Sequence, residues 1–196
     1  MPTYTYPDPA SAGIQWRPES CEWIQNATVL ESTSPYTGES RTVDMLGHRW
    51  GMSITYPYHT IDERPEVEAF WLGLRGGSGR VLIWDLNRPV PRGTLRGSPT
   101  LAAGAAQFAT QLSSSGSGML LPGDKFKVAN QVFVVRSASG LVVQVEHPVR
   151  VALSGGAPVI WDRPMVLMRR TGSELRLPRE GARHPGFSVE LIEVFQ

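Results

Sequence analysis

The side chains of this chain that could do chemistry are few and scattered. Cys21 is the one cysteine of 196 residues. A lone thiol allows no intrachain disulfide and no multi-cysteine metal site. A nucleophilic role would need a neighbouring base, which local sequence does not supply, so Cys21 reads as a buried, inert thiol. The histidines His48, His59, His147 and His184 lack the i, i+4 or CxxC partners of metal sites, and read as structural. Asp44, Asp62, Glu63, Asp85 and Asp124 could supply the two carboxylates of a glycoside hydrolase, one to protonate the leaving oxygen and one to attack or activate water. Nothing in the sequence selects a pair among them. There is no GxSxG, P-loop or dinucleotide fingerprint. Gly76-Gly77-Ser78-Gly79 follows a helix pattern and precedes a strand pattern, the wrong order for holding phosphate at a helix N-terminus. No catalytic, cofactor-binding or metal-binding residue is assigned. The chain is expected not to be an enzyme, and no cofactor is implied.

Composition narrows the partners. Net charge is +1, so there is no overall signature for nucleic acid or an anionic membrane. Charge is uneven: residues 1–64 carry eight acids and four Arg, whereas residues 75–96 carry Arg75, Arg80, Arg88, Arg92 and Arg96 against Asp85 alone. Arg is favoured at protein interfaces because its planar fork binds carboxylates bidentately. The strip is therefore expected to meet other proteins. The N-terminus has neither the basic nor the apolar region of a signal peptide, and no apolar run approaches membrane-spanning length. A protein made in a cytoplasm is expected, for which the sequon Asn26-Ala27-Thr28 is irrelevant. The tryptophans Trp16, Trp23, Trp50, Trp71, Trp84 and Trp161 sit mostly in apolar patterns, which favours a core or a subunit interface.

The best-defined element lies at residues 61–86. Asp62 or a close neighbour can cap a helix whose first turn holds Pro65. Val67, Phe70, Trp71 and Leu74 then form one apolar face, with Glu66, Glu68 and Arg75 pointing away. Gly76-Gly77 end the helix, and residues 80–84 restart as a strand. Everything else reads as β. Residues 1–20, rich in proline, predict an extended arm leading into a strand, of the kind that crosses onto a neighbouring subunit. Residues 22–30 predict a strand and 31–40 a turn. Residues 42–58 predict a hairpin turning near Leu46-Gly47-His48, or one long bent strand. Proline and glycine over 87–100 place a domain boundary near 96. Strands over 125–145 then give a barrel-sized unit. Residues 187–195 predict a last strand with Phe187, Val189, Leu191 and Glu193 on one face. The fold class is mainly β: a discontinuous β-sandwich over 1–95 and 162–196 with one helix near 62–75, and a small β-barrel inserted at 96–161.

Several segments, in this order, resemble the distal tail proteins of long-tailed bacteriophages and prophages. They are Glu68-Ala69-Phe70-Trp71 with Leu74-Arg75-Gly76 and Gly79-Arg80-Val81-Leu82, then the proline-rich bridge. Further on come Leu121-Pro122-Gly123-Asp124-Lys125-Phe126, Val145-Glu146-His147-Pro148-Val149-Arg150 and Gly156-Ala157-Pro158-Val159. The end, Phe187-Ser188-Val189-Glu190-Leu191-Ile192-Glu193, looks like the family's terminal strand. The resemblance covers roughly residues 62–196; residues 1–60 match only in type.

The resemblance implies structural work in the virion, at the tail tip. Such proteins form a ring, typically a hexamer, at the distal end of the tail tube. The ring joins the tube protein to the tail-tip hub or baseplate and leaves a central channel for DNA; the tape measure protein is a further partner. The inner domain is a β-sandwich with one helix, often with an inserted OB-like barrel. Ring contacts run through strand edges and extended arms, and no catalytic residues carry over. No membrane and no specific nucleic-acid binding is implied, and the Arg-rich 75–96 strip should face proteins and not the channel. The alternative from a different class is a carbohydrate-binding module serving attachment to the host surface through exposed Trp or Tyr.

Overall fold

The computed structural model describes residues 2–44, 47–181 and 183–195. The fold is mainly β, as expected. The first half holds β1 (Thr3–Thr5), β2 (Ser20–Asn26), β3 (Val29–Thr33), β4 (Ser40–Asp44), β5 (Arg49–Tyr56), β6 (His59–Thr60) and β7 (Arg80–Ile83). It also holds helices α1 (Pro9–Ala12) and α2 (Arg64–Gly73). Next come β8 (Thr100–Leu101), β9 (Gln111–Ser115), β10 (Lys125–Val128), β11 (Gln131–Ser139), β12 (Val142–Val145) and β13 (Val159–Ile160). The chain ends with β14 (Val166–Arg170), β15 (Arg183–His184) and β16 (Phe187–Glu193).

Two six-stranded sheets carry the structure. The first has the order β1-β7-β14-β16-β5-β2 and takes its strands from residues 3–83 and 166–193. All its pairings are antiparallel except β1 with β7, where Tyr4 lies opposite Val81. The second has the order β13-β10-β11-β12-β9-β8 within residues 100–160. Its ends nearly meet: Leu101 and Ala157 are joined by a 2.8 Å hydrogen bond, and Thr100 bridges Pro158. The sheet thus curls into a nearly closed barrel, which removes exposed edges.

Alternation builds both cores. In β16, Phe187, Val189, Leu191 and Glu193 are all buried, as the pattern predicts. In β10, Phe126 and Val128 point inward while Lys125 and Lys127 do not. Helix α2 covers the first sheet with Val67, Trp71 and Leu74, all fully buried.

The structure corrects several expectations. Residues 1–20 are not a free arm. Tyr6 and Trp16 are buried in the first core, and Tyr6 donates its hydroxyl to the Trp16 carbonyl at 2.8 Å. Two large aromatic side chains bury too much apolar surface for this segment to stay unattached. It also contains a second, four-residue helix, α1, capped by Asp8. Glu68 does not point away from the core. It is buried, and it pairs with Arg64 at 2.8 Å and Arg179 at 3.1 Å. The N-cap position of α2 is held by Glu63, the close neighbour of Asp62 that the sequence allows, with its carboxylate turned back to the Thr60 amide and hydroxyl. The hairpin expected over 42–58 is replaced by another pairing: β4 pairs with β3, and β5 with β2 and β16. Residues 31–33, expected in a turn, belong to β3. The expected turn centre includes Leu46, which lies outside the described residues.

Candidate functional site

The structure does not gather the chemically capable residues. The Cys21 thiol is buried, and burial with the nearby Asp85 charge pushes its pKa up to about 11. Such a thiol carries almost no thiolate near neutral pH. His48 and His147 stack at 4.8 Å against Trp50, whereas His59 bonds the Gln15 carbonyl at 3.1 Å elsewhere. Among the described residues no three His, Cys, Asp or Glu side chains could hold a metal ion.

Three of the carboxylates considered for hydrolysis are engaged by other groups. Asp85 pairs with Lys125. Asp124 accepts the amides of Arg92, Gly93 and Leu121 at 2.8–3.0 Å, which folds the turn before β10 around it. Glu63 has its pKa lowered by the two Thr60 hydrogen bonds. Asp62 is exposed, and the side chain of Asp44 lies outside the described residues.

Two ion pairs the sequence reading missed join the sheets. Arg150 reaches from the barrel segment to Glu193 of β16 at 2.6 and 2.9 Å, and to the His48 carbonyl at 2.7 Å. Lys125 of β10 meets Asp85 after β7, with its ammonium 4.1 Å from the Trp23 ring centre. A hint of the first was visible, since Glu193 is a charge at an inward position of an apolar alternation. Trp50 adds a bond from Nε1 to the Val132 carbonyl at 3.2 Å. The two sheets are therefore fastened by polar contacts that are themselves largely buried.

What remains at the surface is suited to contact. The β3–β4 hairpin, Val29–Thr33 with Ser40–Asp44, forms a two-stranded sheet of its own. Leu30 and Val43 lie opposite each other, 59% and 53% exposed, and Tyr36 at the tip is 94% exposed. A two-stranded hairpin has little stability alone in water. Ser34 tightens its turn, accepting the Tyr36 and Thr37 amides, and Gly38 supplies the positive φ of 69° there. The first sheet also ends on two strands with one partner each, β1 and β2.

The Arg strip is not one free patch. Arg92 donates to the Pro122 carbonyl at 2.6 Å, and Arg96 stacks on Trp161 at 4.9 Å while bonding the Gly93 and Leu95 carbonyls. Arg75 and Arg88 are exposed. Among the tryptophans, Trp16, Trp50, Trp71 and Trp84 are buried, and Trp23 and Trp161 lie half-buried beneath cations. None of the six is fully exposed. No family model matches the chain, and no curated protein matches it either.

Proposed function

We propose that this chain is a structural subunit of a closed ring, the distal ring of a long-tailed phage. The single observation that carries the reading is the uncovered β3–β4 hairpin beside an open sheet edge. A projecting hairpin with the apolar pair Leu30–Val43 and no core of its own is built to lie on another surface. The edge strand β2 offers a row of backbone groups for pairing. A protrusion of one subunit laid on a different surface of the next makes a heterologous contact, which closes into a ring when the rotation allows. The resemblance in residues 62–196 gives the ring its place, between the tail tube and the tail-tip hub, with DNA passing through the hole. The arm at residues 1–20 is spent inside its own subunit, so the hairpin takes over the reaching role expected of it.

The test is the mass of the purified protein by light scattering, with negative-stain images of the same peak. A hexamer-sized particle with a central hole supports the reading. The double variant Leu30→Ser, Val43→Ser should then shift the mass toward the monomer with the fold intact. A ring that survives this change would refute the hairpin's role, and a monomer that fails to close on purified tail tubes would refute the ring.

A further inference from the structure

Arg170 closes β14 on the inward face, in line with Val166 and Met168. It is 4% exposed, yet it makes no ion pair among the described residues. One Nη donates to the Ser173 carbonyl at 3.1 Å, and Nε has no partner. The other deeply placed guanidinium groups differ: Arg64 holds Glu68 at 2.8 Å and Arg150 holds Glu193 at 2.6 Å. A buried cation without a counter-charge costs stability, and pairing it relieves that cost.

Arg170 lines a cleft of about 460 Å³ between the loop at 171–178 and the start of β16. The same cleft holds an unused strand edge. On one side β5 pairs with β16 over Phe187–Ile192. On the other side β14 pairs with it only over Leu191–Glu193. Thr171 donates its amide and hydroxyl to the Glu190 carbonyl at 2.9 and 3.2 Å, which sets the phase of the strand. Backbone groups of alternate residues point to the same side, so the N–H and C=O of Ser188 also face the place β14 has left. Among the described residues no strand occupies that place.

We propose that this cleft is a docking slot for an extended acidic segment of a protein partner, which pairs its backbone with Ser188 and sets one carboxylate on Arg170. Adding a strand to an open edge supplies affinity through main-chain bonds, and the Arg–carboxylate fork supplies selectivity. Glu174 and Glu190 also line the cleft, with Arg176 as the second cation. Their charges disfavour a polyanion such as nucleic acid and leave room for one carboxylate. The inference does not depend on ring formation.

The test uses the full chain and two dye-labelled, end-blocked peptides, Thr-Val-Glu-Val-Thr and its Gln counterpart, in fluorescence anisotropy. The Glu peptide should bind about tenfold tighter than the Gln peptide, the scale of one charge-assisted fork. Hydrogen exchange should slow across residues 187–190 when it binds. Arg170→Met, close in volume, should erase the difference between the peptides. Equal binding of the two peptides, no binding of either, or unchanged exchange at 187–190 would each overturn the proposal. The peptide comparison on the unaltered protein decides even if Arg170→Met does not fold.

Discussion

The two six-stranded sheets are filled by different means. The first joins segments from both ends of the chain, and its core is aromatic: Tyr6, Trp16, Trp50, Tyr56, Trp71, Trp84 and Phe187. Large rings bring polar atoms inside, and three of these are bonded together, while Trp16 Nε1 has no partner among the described residues. The Tyr6 and Tyr56 hydroxyls lie 2.9 Å apart, and Trp71 Nε1 donates to Tyr56 at 3.1 Å. The barrel uses one continuous stretch, residues 100–160, and its core is mainly Leu and Val with a stacked Phe126–Phe133 pair. Branched aliphatic side chains fill space without needing partners, and hairpin neighbours meet early along the chain. The difference teaches where specificity is kept. The barrel follows from alternation and turns, whereas the first sheet depends on particular rings meeting across long separations.

The comparison can be broken most forcefully at Trp71. Trp71→Ala should cost about 3–5 kcal/mol by denaturant titration, because it leaves a large void and strips a donor from Tyr56. The barrel should keep its slow hydrogen exchange at 125–145 while the first sheet loses its own. If both sheets lose protection together, they form one cooperative unit and the contrast fails. Arg150→Met should cost about 3 kcal/mol, since it leaves Glu193 buried without its counter-charge. Arg150→Lys should recover part of that in the same titration. In the aliphatic core, Leu112→Ala should cost about 2–3 kcal/mol and be felt in the barrel alone.

Alkali should separate the two cores. Burial raises the pKa values of Cys21, Tyr6 and Tyr56, all in the first core. The unfolded thiol ionises near 9 and the folded one near 11. Its contribution is fully present below pH 9 and is lost as pH rises through 11. The tyrosines add loss in the same direction above their ordinary value of 10.0. Lys125, whose pKa burial lowers, opposes the trend. The urea midpoint of the first sheet should fall between pH 9 and 11, and Cys21→Ala should flatten the lower part of that fall. A midpoint that stays level would show that these groups are not buried in solution. The smallest expected effect is at Tyr36. Tyr36→Ser should change stability by less than about 0.5 kcal/mol, because the ring packs on nothing in its own subunit, while reducing any ring assembly seen by light scattering.

Legibility in the sequence followed the range of the forces. The spacing of Val67, Trp71 and Leu74 marked the buried face of α2, and two-residue alternation marked β10 and β16, because both periods are properties of the backbone. The glycine- and proline-rich stretch at 87–100 marked the passage from the first sheet to the barrel. Glu68 was misassigned because its environment comes from Arg179, more than a hundred residues away. Arg170 gave no local signal either: its burial depends on the 171–178 loop and on where β14 stops.

Amino-acid order alone thus determined the mainly-β class, the principal helix, the inward faces of the strands and the absence of a local catalytic motif. Each follows from steric and hydrophobic periodicity within about ten residues. Tertiary structure alone decided that the N-terminal segment folds back through Tyr6 and Trp16. It alone paired β4 with β3, joined the two sheets through Arg150–Glu193 and Lys125–Asp85, and left Arg170 without a counter-charge among the described residues. These outcomes depend on which distant groups compete for one buried space, and that competition is settled by packing, not by local pattern.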